Sequence, residues 1–263
     1  MSVRTTQSLA GLHRPRWWQW PTVLSLDAPA VSVAWLALLA GSLGVDLGWP
    51  PMVVLGTSVW LAYAADRWIE GWRLRHEDVR TPRHRFYQRW RGPVAVVWIV
   101  VLVCDITIAA TRLTPTALLA GWVLTAAVGT YLLSHQFLHR TRRWRVPKEI
   151  CVAGLLTGGS AVFLVGAAKT SAMIPPLALF AGICFVNCAL ISSWERDVDL
   201  AHQQSSLAQN PRHASWIRWA PWILAVGALT VAAGARARGC RAPDAAPSAR
   251  IRGVIPAIRD RAA

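Results

Sequence analysis

Only 13 of the 263 residues are Asp or Glu, and two pairs of these acids share one spacing. Asp66 and Glu70 stand four apart in Asp66-Arg67-Trp68-Ile69-Glu70, and Glu195 and Asp199 repeat the interval in Glu195-Arg196-Asp197-Val198-Asp199. On a helix, that interval brings both side chains of a pair to one face. Like charges so placed repel unless a cation lies between or opposite them, and acids near a helix C-terminus oppose the macrodipole. A purely stabilising role is therefore a poor account of them. Set on two helices at one depth and facing each other, the pairs would offer hard oxygens to Mg²⁺, which commonly bridges carboxylates to substrate phosphates. Asp66, Glu70, Glu195, Asp197 and Asp199 are the candidate metal ligands. Arg80, Arg83, Arg85 and Lys148 are placed to hold phosphate oxygens directly. Acids, a hard cation and a basic rim together describe a diphosphate site. The competing reading of each pair is a helix end meeting water, with the flanking arginines as partners.

What must position these residues is a set of apolar segments. The chain is 54% hydrophobic and 16% charged, yet its formal net charge is +15. Such a balance implies that apolar and charged residues are segregated along the sequence. Roughly seven blocks reach the ~20 residues needed to cross a bilayer: Pro29–Gly48, Pro51–Ile69, Val94–Ala110, Ala117–Leu138, Ile150–Ala168, Met173–Ser193 and Ile217–Ala233. With no water to satisfy the backbone in lipid, these blocks should be helices. The expected fold is all-α, a polytopic transmembrane bundle spanning residues 28–234. Many of the 16 Trp residues lie at block edges, where indoles favour the membrane interface.

Arginines gather after the second block (Arg73, Arg75, Arg80, Arg83, Arg85, Arg89, Arg91) and after the fourth (Arg140, Arg142, Arg143, Arg145), whereas the alternate loops hold little beyond Arg112 and Lys169. The positive-inside rule then puts the N-terminus and both acidic motifs on the cytoplasmic side, in a membrane read as a bacterial inner membrane. The same rule accounts for the basic charge without nucleic acid, since no recognised nucleic-acid-binding pattern is present. Residues 1–27 read as an interfacial lead-in rather than a cleaved signal. Residues 235–263, rich in Arg, Ala, Pro and Gly, read as a disordered appendage or as the product of a shifted reading frame.

Other residues carry weaker signals. Asp105 sits mid-block, where a charge costs about 2.5–3.5 kcal/mol, so it should face the interior as a substrate contact or as part of a packing network. Asn187 reads as an interhelical hydrogen bond, with a substrate contact as the alternative. His135 and His139 share a face but lack an acidic helper. The five cysteines show neither metal-ligand nor disulfide-framework spacing.

The layout resembles the UbiA-type membrane prenyltransferases, helical bundles that move an isoprenoid chain from its diphosphate to an acceptor. Members typically carry an N-D-x-x-D-x-x-x-D motif after the second helix and a D-x-x-x-D motif after the sixth. Here Ala62-Tyr63-Ala64-Ala65-Asp66-Arg67-Trp68-Ile69-Glu70 lies over the first motif, so Asp66 and Glu70 match its last two acids, while Ala62 and Tyr63 replace its first Asn and Asp. Glu195 and Asp199 match the second motif. The family's Tyr-x-x-x-Lys element is similar to Trp144-Arg145-Val146-Pro147-Lys148, and its basic Arg-Pro stretch to Arg80-Thr81-Pro82-Arg83-His84-Arg85. The resemblance covers roughly residues 28 to 235. It implies Mg²⁺-dependent transfer from a polyprenyl diphosphate to a small aromatic or lipid-like acceptor, in a bundle that usually has more spans than this chain. Two other functions remain open: a non-catalytic relative that binds a lipid diphosphate, and a small transporter using Asp105 and the acidic pairs as an ion path.

Overall fold

A computed structural model describes residues 16–73, 82–134, 147–194, 207 and 215–239. Every regular element among them is helical. After a 3₁₀ turn at Trp17–Gln19 come α1 (Trp20–Val23), α2 (Asp27–Leu43), α3 (Trp49–Arg73), α4 (Pro82–Arg89), α5 (Arg91–Arg112), α6 (Pro115–Leu133), α7 (Lys148–Leu164), α8 (Thr170–Trp194) and α9 (Ala220–Gly239).

Local sequence sets several of the boundaries. Gly44 ends α2 in a left-handed conformation (φ 66°) that costs glycine nothing, and its N–H bonds back to the last turn. Thr114 caps α6 by accepting the Ala117 N–H at 3.3 Å, with Pro115 preset for the first helical position. The bend of 80° between the Trp17–Val23 segment and α2 falls at Ser25, a non-glycine residue with φ 58°. Its strain is offset by contacts around it. The Tyr87 hydroxyl of α4 lies 3.2 Å from Ser25 Oγ, and Trp60 of α3 donates to the Leu24 carbonyl at 3.0 Å. Burial pushes the Tyr87 phenol above its ordinary pKa, and the Ser25 hydrogen bond opposes that rise.

A helix occupies most of each of the seven apolar blocks, but length and composition mark fewer of them as spans. Three helices, α5, α6 and α8, are long and apolar enough to cross a bilayer, and the bent pair around Ser25 would make a fourth. These helices make the chain a membrane protein. The remainder fall short for identifiable reasons. At 17 residues each, α2 and α7 reach roughly 25 Å, less than the ~30 Å hydrocarbon core. Helix α3 has 25 residues, but its last turns carry Asp66, Arg67, Glu70 and Arg73. In α9 the apolar stretch is Ala220–Thr230.

The core lies where α2, α3, α7 and α8 meet. Leu36 and Leu39, Val54 and Leu55, Phe163 and Leu164, and Met173 and Phe180 form one buried cluster. Within it the Trp35 and Phe180 rings stack with centroids 5.0 Å apart. Helix α6 buries none of its residues and α5 buries only Asp105. Their outward faces instead present Val96, Ile99, Val100, Val103, Leu119 and Trp122, apolar surface that lipid would cover. The chain divides into two units, Met1–Leu224 and Ala225–Ala263. The division falls inside α9, ahead of the tail expected from Ala235. In the second unit the described residues continue the helix to Gly239.

Candidate functional site: the polar end of the bundle

The last turns of α3 carry a polar stripe. Tyr63, Asp66, Arg67 and Glu70 recur at intervals of three and four, so one helix face holds all of them. Glu70 is buried (5% exposed), and Arg67 Nη1 donates to its Oε2 at 3.0 Å. Arg67 is also within electrostatic reach of Asp66 and Tyr63. The cation that the acidic pair calls for is thus supplied by the same helix.

The end of α3 is held firmly. Arg91, at the start of α5, donates through Nη2 to the Gly71 carbonyl at 2.6 Å. Its guanidinium stands 5.6 Å from the centre of the Trp72 ring, and Trp68 Nε1 donates to the Arg91 carbonyl at 3.2 Å. Gly71 packs against the α4 backbone, where even a Cβ would stand at ordinary contact distance, 3.7 Å from the Gln88 nitrogen. This packing brings half-buried Arg83 and exposed Arg85, both on α4, to the same end as Glu70.

Four more helices contribute to that end. Tyr63 lies within electrostatic reach of Asp27 on α2 and Cys188 on α8. Tyr131 on α6 is within reach of Asp66, Arg67, Tyr63 and Cys151, the last on α7. Cys188 is in turn within reach of Glu149 and Lys148, which open α7. Glu149 is fully buried (0% exposed), and its Oε1 accepts the Leu207 N–H at 3.1 Å. Polar groups from α2, α6 and α8 thus lie near the stripe of α3, and Cys188 and Tyr131 connect it in turn to Lys148, Glu149 and Cys151 in the first turn of α7.

Of the residues expected in the site, the structure brings Asp66, Glu70 and Lys148 to this end, with Arg83 and Arg85 on the adjoining α4. Arg80, Glu195, Asp197 and Asp199 lie outside the described residues, as do His135 and His139. Asp105 belongs elsewhere. It is buried between α3 and α5, where the Thr57 hydroxyl donates to one carboxylate oxygen and the Ser58 hydroxyl to the other at 2.8 Å. That is the packing-network arrangement. Asn187 departs from expectation: it is exposed on α8 and makes no hydrogen bond among the described residues. It follows buried Phe180 and Cys184 at helical spacing, so its face of α8 is covered along the core but open near the polar end.

Reading the acidic pairs alone missed Tyr63, Arg67, Tyr131 and Glu149. The first two were within reach of the sequence, because the stripe 63-66-67-70 has helical periodicity once all polar residues are counted. Tyr131 and Glu149 carried no local signal, since only the fold brings them in. Among the described residues, no three His, Cys, Asp or Glu side chains are grouped to hold a metal. The carboxylate oxygens of Asp66 and Glu70 suit a hard cation such as Mg²⁺, but any cation there competes with Arg67 for Glu70. Compared with known proteins, the chain matches no family model, no curated protein and no solved structure.

Proposed function

We propose that the chain binds a polyprenyl diphosphate at the polar end of its bundle and transfers the isoprenoid to a small aromatic or lipid-like acceptor. One observation carries this reading: acids, basic groups and phenols of α2, α3, α4, α6 and α7 gather toward one end of a bundle whose described helices are otherwise mainly apolar. An isoprenoid diphosphate has the same division, a multiply charged anionic head on a long hydrocarbon. In this reading all seven apolar blocks lie within the membrane in a UbiA-like bundle, short helices included, and the polar end faces the cytoplasm of a bacterial cell.

Each group then has a role. Lys148, Arg80, Arg83 and Arg85 hold the diphosphate oxygens. Asp66 and Glu70, with Glu195, Asp197 and Asp199, would hold Mg²⁺, whose charge would favour departure of the diphosphate. The allylic carbon–oxygen bond breaks with its electron pair leaving on the diphosphate, and a nucleophilic atom of the acceptor bonds to that carbon and gives up a proton. The apolar walls beneath keep out water, which would otherwise capture the allylic cation.

A second reading, binding without transfer, is favoured by the Arg67–Glu70 ion pair, because an acid already neutralised from within its own helix is a weaker metal ligand. Pyrophosphate release from geranyl, farnesyl and longer diphosphates, measured with Mg²⁺ and with EDTA, separates the two. Release that needs Mg²⁺ and rises with an aromatic acceptor supports transfer, and Asp66→Asn should then lower it at least tenfold, the scale expected when a charged group acting on the leaving group is lost. Binding of the diphosphate without release supports the second reading, and absence of both defeats the assignment.

A further inference from the structure

Glu149 is a buried acid that the proposed chemistry does not use. It is the second residue of α7 and has no exposed surface. Burying a carboxylate is costly unless the group is paired and hydrogen-bonded. The positive end of the α7 macrodipole and the neighbouring Lys148 offset part of that cost. A carboxylate serving only the macrodipole could do so from the surface, however, because the favourable field extends over the whole first turn. Glu149 instead reaches inward, and Oε1 accepts the backbone N–H of Leu207 at 3.1 Å. Oε2 has no hydrogen-bond partner among the described residues.

Leu207 is held from its other side as well. Its side chain packs, with Leu190 and Trp216, against the cluster formed by Ala189 of α8 and Ile217, both essentially without exposed surface. Phe185 of α8 stacks on Trp216 with ring centroids 6.1 Å apart. One residue of the connection between α8 and α9 is thus fixed by an apolar cluster through its side chain and by a buried acid through its backbone. In sequence, the same connection contains Glu195, Asp197 and Asp199.

We propose that Glu149 is a positioning residue that ties the α8–α9 connection, at Leu207, to the N-terminus of α7 beside Lys148. The tie itself rests on the structure alone. Its consequence for the acids of the connection rests on the reading of the polar end as a diphosphate site.

The test compares tryptic cleavage of the full-length protein in lipid nanodiscs, without substrate, for wild type, Glu149→Gln and Glu149→Leu. Gln keeps an oxygen that can accept the Leu207 N–H, whereas Leu has a similar size and no acceptor. Cleavage after Arg196 and Arg212, both in the connection, should accelerate on the order of tenfold in Glu149→Leu, the effect of losing one buried hydrogen bond when cutting follows local opening. Glu149→Gln should stay within about twofold of wild type by the same reasoning. Cleavage after Arg75 and Arg80, between α3 and α4, should not change in either variant.

Wild-type rates in Glu149→Leu overturn the proposal, as does an equal acceleration in Glu149→Gln. Should Glu149→Leu be cut faster everywhere, Glu149→Asp decides, since it keeps the charge but withdraws the carboxylate by one methylene. Acceleration confined to Arg196 and Arg212 supports the tie, and a wild-type rate defeats it. Mg²⁺-dependent pyrophosphate release is followed in parallel. Connection-specific cleavage with unchanged release retains the tie and removes its link to isoprenoid transfer.

Discussion

Helix α3 carries two polar regions that differ in how their charges are met. At Thr57 and Ser58, near its middle, one carboxylate from α5 is shared between two neutral hydroxyls of a single neighbouring helix. Nine residues further on, roughly 13 Å along the axis, Tyr63, Asp66 and Arg67 lie within electrostatic reach of groups on α2, α6 and α8, with α7 reached through Cys188 and Tyr131. The first region involves one pair of helices and satisfies both oxygens of its acid. That is what a packing contact requires. The second gathers several charges of both signs from many elements, and no packing requirement calls for so many. The contrast separates an intramembrane acid that holds helices together from acids that can act on a ligand.

The contrast is broken most directly at Arg67. Arg67→Ala takes from buried Glu70 the guanidinium that donates to its Oε2. A fully buried pair costs about 3–5 kcal/mol to break in this way and an exposed one about 0–1. With the Arg67 side chain 21% exposed and that of Glu70 7% exposed, a loss of about 2–3 kcal/mol is expected in reversible unfolding, with most of it recovered in Arg67→Lys. If Arg67→Ala unfolds like wild type, the polar end is loosely solvated and its likeness to a preorganised site fails. The same variant probes function: if Mg²⁺ and Arg67 compete for Glu70, the concentration of Mg²⁺ needed for diphosphate binding should fall when the arginine is removed.

The helical character of the chain was legible in its sequence because apolar blocks in lipid leave the backbone few alternatives. Span number was less so, since apolarity does not reveal which helix faces lipid. Helices α6 and α7 are both apolar, yet α6 buries nothing while α7 buries Ala153, Gly159, Ser160, Val162, Phe163 and Leu164 along with Glu149. In water the polar face would mark the outside of a helix. In a membrane both faces are apolar, and the difference appears only when the neighbours are in place. The site was half legible for the same reason. Asp66 and Glu70 are marked by spacing along one helix, and Lys148 by its charge. Tyr131 and Glu149 owe their roles to partners on other helices, which no local pattern records.

Asp105 gives the next largest expected effect and tests the other side of the comparison. Asp105→Leu removes the acceptor shared by Thr57 and Ser58. Hydrogen bonds between membrane helices average about 0.6 kcal/mol and reach about 1.7, so the loss should be about 1 kcal/mol, smaller than at Arg67. Asp105→Asn should cost less still, because it keeps an acceptor oxygen. Neither change should alter diphosphate affinity, since Asp105 stands well away from the polar end. A large loss of affinity with little loss of stability in Asp105→Leu would move this acid into the ligand site and undo the distinction between the two regions of α3.

The smallest effect sharpens the same point. Thr57 also lies 2.7 Å from the carbonyl of Val53, one turn earlier, so its hydroxyl has a local acceptor when Asp105 is absent. Thr57→Val in the wild type should therefore cost about 0.5 kcal/mol, the ordinary scale of such a contact. In the Asp105→Leu background it should cost close to nothing, because the interhelical bond is already gone and the local one stabilises helices little. A double-mutant cycle on the unfolding free energies reads this directly: contacting residues couple by about 0.5 kcal/mol or more, whereas independent sites add. Additivity would mean that Asp105 is held by something other than Thr57, and the middle of α3 would then need a further partner to account for the burial of that charge.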